Sequence, residues 1–247
     1  YKLLKHRLEN SDIIKVKDKK DNINYWKENY SGKGIFPPKA SGLMEEVLLE
    51  ERWNNLISAI HANGEITKRS IEMEELEGEF YFEGNNLILI EIGSLKYKTL
   101  MNGWLNHLYL SANSSFNSKT LIISKRTNYS KKINFEVTKE ILPINTQEAN
   151  EALSEISLLA AAGRKNCWPI PSESGLAYAL ATKELNKNEQ DLFRKKWEGN
   201  LYIQGERESL TMELCFGKGC KSSTFLDNES FHEVLMSLYK PILKNTN

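Results

Sequence analysis

Between Leu76 and Lys98 the chain reads LEGEFYFEGNNLILIEIGSLKYK. Two strand-like runs flank a Glu83-Gly84-Asn85-Asn86 turn, whose glycine and asparagines tolerate positive φ, so a β-hairpin is expected with Glu91 near the end of its second strand. A carboxylate at that point, a lysine two residues on and a second acid on the preceding strand form a set suited to metal-dependent phosphodiester hydrolysis. Alternate residues on a strand face the same way, so acid-x-lysine aims both groups at one divalent cation. The cation polarises the phosphate and lowers the pKa of the attacking water. Here the residue two after Glu91 is Gly93, which carries no ammonium. Lys96 lies three residues further on, and Lys98 already enters a helical pattern. The preceding strand has no aspartate, so Glu79 or Glu83 would have to serve. A working site would need Glu79, Glu91 and Lys96; the simpler reading is a solvated or ion-paired Glu91 at a strand end.

Other chemistry-bearing residues have structural readings. His107 shares a helical face with Trp104 and Leu108 and reads as a half-buried packing residue. His61 ends a helix, where a cation suits the dipole. Ser172 and Ser174 in PIPSESG lack the Gly-x-Ser-x-Gly frame of a nucleophile elbow and read as helix N-caps. Cys215, Cys220 and His232 fall short of the four ligands of a structural zinc site. CFGKGC has too few glycines for a phosphate loop.

The elements that would hold these residues follow from periodicity. YKLLKHRLEN suggests a short helix, and SGKGIFPPKASG a loop. GLMEEVLLEERWNNLISAIHANG suggests a long helix with Leu48, Leu49, Trp53, Leu56, Ile57 and Ile60 as its apolar stripe and Gly64 as its stop. Strands follow over 65–73, 77–83 and 87–92. The almost wholly apolar LILIEI suits a central strand covered on both faces. TLMNGWLNHLYLSAN is an amphipathic helix, and KTLIISK and KINFEV are further strands joined by the basic SKRTNYSKK. The remainder is mainly helical: from Asn145 to a stop near Gly163, LAYALATKEL, Asn188 to Trp197, and a last helix that Pro241 should kink or end.

Helix, three-stranded meander, helix, strand is the core order of PD-(D/E)xK nucleases. The expected fold is therefore α/β (α+β), a restriction-endonuclease-like core with its catalytic residues missing, followed by a mainly helical part. The expected division is an N-terminal helix and loops over 1–41, the αβββαβ core over 42–143 and the helical part over 144–247. The 33 basic and 33 acidic residues cancel, so any nucleic-acid contact must come from local patches. Three cysteines are too few for a disulfide framework, which fits a reducing cytoplasm. The chain opens at Tyr1 inside a helical pattern, which suggests a fragment of a longer protein.

WLNHLYLSAN after a short hairpin, then PIPSESGLAYA, KKWEGNLYIQGE and a terminal helix ending YKPILK, with GIFPPKASG ahead of the first long helix, resemble in that order the C-terminal region of the RecC family. RecC is the gamma chain of exodeoxyribonuclease V, the RecBCD helicase–nuclease. The resemblance covers essentially the whole chain. It implies a nuclease-like fold without catalytic residues that engages RecB-like and RecD-like subunits, and DNA near the fork. ATP and magnesium would then be used by the partner subunits, with no cofactor in this chain. Lys96 and Lys98, or Lys125, Arg126, Lys131 and Lys132, become candidate phosphate contacts in such an assembly. Trp168, Pro169, Pro171, Trp197 and Tyr202 become candidates for a partner interface, with the loop from Cys167 to Gly175 preferred. The alternatives are a divergent autonomous nuclease and a pure protein-interaction module.

Overall fold

The computed structural model describes residues 2–9, 11–14, 30, 32–34, 36, 39–62, 64–73, 76–113, 116–126, 133–166, 170–182 and 188–247. The chain packs as two units that interleave in sequence, Tyr1–Leu95 with Ser118–Glu140, and Lys96–Asn117 with Ile141–Asn247.

In the first unit, Leu49, Trp53, Leu56 and Ile60 recur at helical spacing and form the buried face of α2, Ala40–Ile60. Leu48, expected in that stripe, is exposed instead and joins Leu43, Met44 and Val47 on the opposite side. Helix α1, Lys2–Glu9, packs on α2. Its Arg7 is buried, with its guanidinium 4.2 Å from the centre of the Trp53 ring and 3.2 Å from Glu50 Oε2. A buried cation is costly unless paired, and the ring face and the carboxylate together supply that pairing.

Five strands form one sheet in chain order: β1 (Ile66–Glu72), β2 (Glu77–Glu83), β3 (Asn86–Ile90), β4 (Thr120–Lys125) and β5 (Phe135–Ile141). β1, β2 and β3 form an antiparallel meander. β3 and β4 run parallel, from Leu87 opposite Thr120 to Ile90 opposite Ile123. The apolar β3 is the middle strand, as its sequence requires. Ile88 and Ile123 join Leu4, Trp53, Leu56, Ile66 and Phe135 in one buried cluster, so the sheet and α2 share a core.

The second unit is helical: α3 (Tyr97–Asn113), α4 (Thr146–Asn166), α5 (Ser172–Ala181), α6 (Glu189–Glu198), α7 (Leu210–Phe216), α8 (Ser223–Leu226) and α9 (Glu229–Lys244). α4 starts where expected, with Asn145 Oδ1 accepting from the Glu148 amide at 2.8 Å. It runs through Gly163 to Asn166, because that glycine sits in open space with ordinary φ and nothing forces a stop. Pro241 does not end α9. The turn that follows it carries the buried Ile242 and Leu243, and their packing outweighs the lost backbone bond. α7 and α8 have no clear periodic signature at their lengths and were not expected. Ile141 bridges Thr246, and the Leu142 amide donates to Asn245 O at 2.8 Å, which ties the chain's end into this unit.

Candidate functional site

The hairpin forms as its turn chemistry demands, with Glu83 opposite Asn86 and Gly84 at positive φ. β3 stops at Ile90, so Glu91 lies just past the strand rather than within it. Its amide still donates to Ile123 O at 2.8 Å, and the Lys125 amide donates to Gly93 O at 2.9 Å. The Glu91 carboxylate turns back on the chain, where Oε1 accepts from the Gly93 amide at 3.1 Å. A Cβ on Gly93 would lie 3.4 Å from that same oxygen, an ordinary van der Waals contact.

The other acids lie elsewhere. Tyr81 is opposite Ile88, and opposed residues of an antiparallel pair share a face. Strand alternation therefore places Glu79, Tyr81 and Glu83 on one face, and Leu87, Leu89 and the position of Glu91 on the other. Glu79 is exposed and ion-paired to Lys68 on β1. Lys96 and Lys98 are exposed and belong to the second unit. Lys125 is half-buried at the end of β4. Arg126 is exposed beside it, its Nε 3.5 Å from Glu136 Oε1. Lys131 and Lys132 lie outside the described residues.

The interface candidates separate by burial. Trp197 is 0% exposed, locked among Phe193, Phe225 and Phe216 with its indole N–H donating to Cys220 O at 2.9 Å. It is a core residue here, corrected from its place among the surface candidates. Pro171 is buried as well. Trp168 and Pro169 lie outside the described residues. Tyr202 is 93% exposed. It sits at the tip of a tight turn between Leu201, 98% exposed, and Ile203, 66% exposed.

That turn is firmly built. Asn200 Oδ1 accepts from the amides of Tyr202 and Ile203 at 2.8 and 2.9 Å, and the Asn200 amide donates to Ile203 O at 2.8 Å. Gly199, at φ 70°, bridges Gln204 below it. Glu206 then anchors the stem. Its carboxylate accepts from the Glu173 and Ser174 amides at 3.0 and 2.7 Å, and from the Ser172 and Ser174 hydroxyls at 3.1 and 2.6 Å.

Those four bonds cap α5. Its N-cap residue is Pro171, which has no capping side chain, so the orphan amides take a carboxylate supplied by another segment. Ser172 and Ser174 are thus first-turn donors rather than the caps their sequence suggested. Glu206 lies 32 residues from Ser174, and no local pattern announces the pairing. Leu210 and Leu214 on α7 are also largely exposed, at 73% and 78%, so this unit presents several large apolar side chains to solvent.

The family model for the RecC C-terminal domain matches residues 2–183. The chain belongs to the RecC C-terminal domain family. No curated protein matches it. Membership associates the chain with the RecC-like subunits of RecBCD complexes, and so with DNA repair. The match includes the hairpin and the first turn of α5, whereas Glu206 and the Leu201–Ile203 tip follow its last residue. Among the described residues of this RecC domain, no group of three or more His, Cys, Asp or Glu side chains is placed to hold a metal ion. No helix among them is long and apolar enough to cross a membrane.

His107 of the RecC domain is buried more deeply than its sequence suggested, at 0% exposed. It stacks on Trp104 at 6.2 Å between ring centres, with Phe116 edge-on at 5.4 Å. Burial lowers its pKa to about 4, against a weaker opposing pull from its bond to the Leu142 backbone. The unfolded chain takes up this proton near pH 6.5, whereas the folded chain holds it off until about pH 4. Stability from this residue is therefore complete above pH 6.5 and falls as the pH drops toward 4, by about 3 kcal/mol in all. Urea unfolding at pH 7 and pH 4.5 should show a smaller pH-dependent loss for His107→Gln than for the natural chain.

Proposed function

We propose that this chain is the non-catalytic C-terminal domain of a RecC-like subunit of exodeoxyribonuclease V. It would act through subunit and DNA contacts while DNA ends are unwound and degraded at double-strand breaks. The observation that carries the reading is the Glu91–Gly93 turn. The acid that would bind a catalytic cation is engaged by its own backbone, and the position of the water-activating lysine is a glycine. The order α2, β1, β2, β3, α3, β4, with β3 and β4 parallel, supports an inactive PD-(D/E)xK-type ancestry for this region. In the assembled enzyme, ATP and magnesium are used by RecB-like and RecD-like partners.

Contacts divide by chemistry in this reading. Lys125 and Arg126, or Lys96 and Lys98, meet DNA phosphates without sequence preference. The Leu201-Tyr202-Ile203 tip meets a partner subunit, because a rigid turn presenting three large apolar side chains loses little entropy on docking.

Purified with magnesium or manganese, the chain should leave linear duplex DNA intact, and Glu91→Ala should change nothing. Digestion that disappears in Glu91→Ala would establish a divergent nuclease instead. Tyr202→Ala should weaken assembly with a RecB-like subunit about tenfold or more, while the melting temperature stays within a degree or so because the side chain packs on little. Pull-down titration beside calorimetry reads both. Reversing Lys125 and Arg126 together should lower the salt slope of DNA binding by the whole complex by about 0.9 per lost phosphate contact. An unchanged slope would remove that pair from the DNA-contacting surface.

A further inference from the structure

β1 stands at the rim of the sheet, and among the described residues its only strand neighbour is β2. Which of its backbone groups face outward follows from the hairpin. Gly84 and Asn85 form a two-residue loop, so Glu83 and Asn86 close it as a mutually hydrogen-bonded pair. Tyr81 and Ile88 repeat that pattern two residues on. The alternate residues Phe82, Phe80 and Gly78 therefore turn their backbone groups toward β1, where they meet Thr67, Arg69 and Ile71. The amides and carbonyls of Lys68, Ser70 and Glu72 are left directed away from the sheet.

This outer edge is open. Thr67, Lys68, Arg69, Ser70 and Glu72 are all exposed, the pairing with β2 runs without a bulge, and the strand contains no proline. Cationic side chains commonly guard such an edge against other strands. Here they are drawn back over their own sheet. Lys68 pairs with Glu79 on β2, while Arg69 lies 4.5 Å from the centre of the Phe82 ring and donates to Gly84 O at 2.6 Å. A strand with open backbone groups and tied-down charges is a template for one more strand.

The sequence of β1 selects that strand. Antiparallel pairing about a two-fold axis must set outward-facing residues against outward-facing residues. Centred on Lys68 or on Arg69, the axis opposes a cation with its own copy, which is unfavourable. Centred on Ser70, it places Lys68 opposite the second copy's Glu72 on both sides of the axis, and Arg69 opposite Ile71. We propose that β1 pairs in this register with β1 of a second copy of this chain, joining the two sheets into one. Lys68 then lies between Glu79 of its own sheet and Glu72 across the axis. The inference uses only the sheet unit and stands apart from the exodeoxyribonuclease reading.

Sedimentation velocity of the full chain, from micromolar to near-millimolar concentration, tests it. The natural chain should pass from monomer to dimer over that range. Ser70→Pro removes the outward-facing amide at the axis and none of those bonded to β2, a placement that proline tolerates in an edge strand. It should stay monomeric, with circular dichroism and melting temperature close to those of the natural chain. Charge tests the register. Lys68→Glu and Glu72→Lys each set like charges together across the axis and should each weaken dimerisation about tenfold or more. Mixed in equal amounts, the two variants should recover it, because every carboxylate at the axis then faces a lysine. A dimer that survives Ser70→Pro, or a mixture no better than its components, would overturn the proposal. So would a natural chain that stays monomeric throughout; if that monomer binds an extended peptide from a RecB-like subunit and Ser70→Pro does not, the occupant of the edge is that partner.

Discussion

Two neighbouring strands joined by a hairpin turn run in opposite directions without further help, but a parallel pair needs the chain to travel back the length of the sheet between them. β3 has both kinds of neighbour, β2 antiparallel and β4 parallel. Its backbone is paired on both edges, and the apolar run Leu87–Ile90 answers that position. The return path runs from Glu91 to Lys119 and contains α3, whose contacts are with the helical unit. One pairing choice in the sheet therefore sets the interleaving of the whole chain. It also fixes the Glu91–Gly93 turn, because both residues bond to β4 as the chain leaves the sheet.

In the helical unit, carboxylates satisfy backbone amides. Glu206 occupies the start of α5, and Glu173, within that first turn, accepts from the Tyr97 amide at the start of α3 at 3.1 Å. Tyr239 closes the arrangement by donating to Ser172 O at 3.0 Å, and burial raises the pKa of its phenol. Carboxylates at helix starts are bound by oriented amides rather than by single cations, and bonds to a charged acceptor are about twice as strong as neutral ones. Phe193, Trp197 and Phe225 form an aromatic cluster in which Trp197 meets Phe225 edge-on, Phe193 lies tilted to Phe225, and Phe193 and Trp197 stack, arrangements that ring quadrupoles accommodate.

The sequence made legible what depends on local repetition. The hairpin was readable from Gly84 and its asparagines, the central place of β3 from LILI, and the start of α4 from Asn145. It misled where tertiary packing outvoted a local preference. Gly163 and Pro241 are helix breakers by propensity, yet one has open space where a side chain would lie and the other stands beside a turn held by Ile242 and Leu243. Trp197 was the reverse case. An aromatic residue in a segment of weak periodicity can be surface or core, and only the convergence of Phe193, Phe216 and Phe225 decides between them. The Glu206 bonds were illegible because they join residues more than 30 positions apart, and nothing local encodes such a meeting.

Interleaving has a consequence for the order in which the molecule is made. While the chain is being synthesised, β1, β2 and β3 are complete at Ile90, but the partner for the open edge of β3 begins only at Thr120. For that interval the nascent meander displays an unpaired edge made of Leu87, Ile88, Leu89 and Ile90. Exposed apolar edges of this kind pair readily with other chains. A polypeptide cut anywhere between Glu91 and Lys119 keeps this edge permanently open, and neither unit can be released as one continuous piece of sequence. The two units are thus inseparable in the gene.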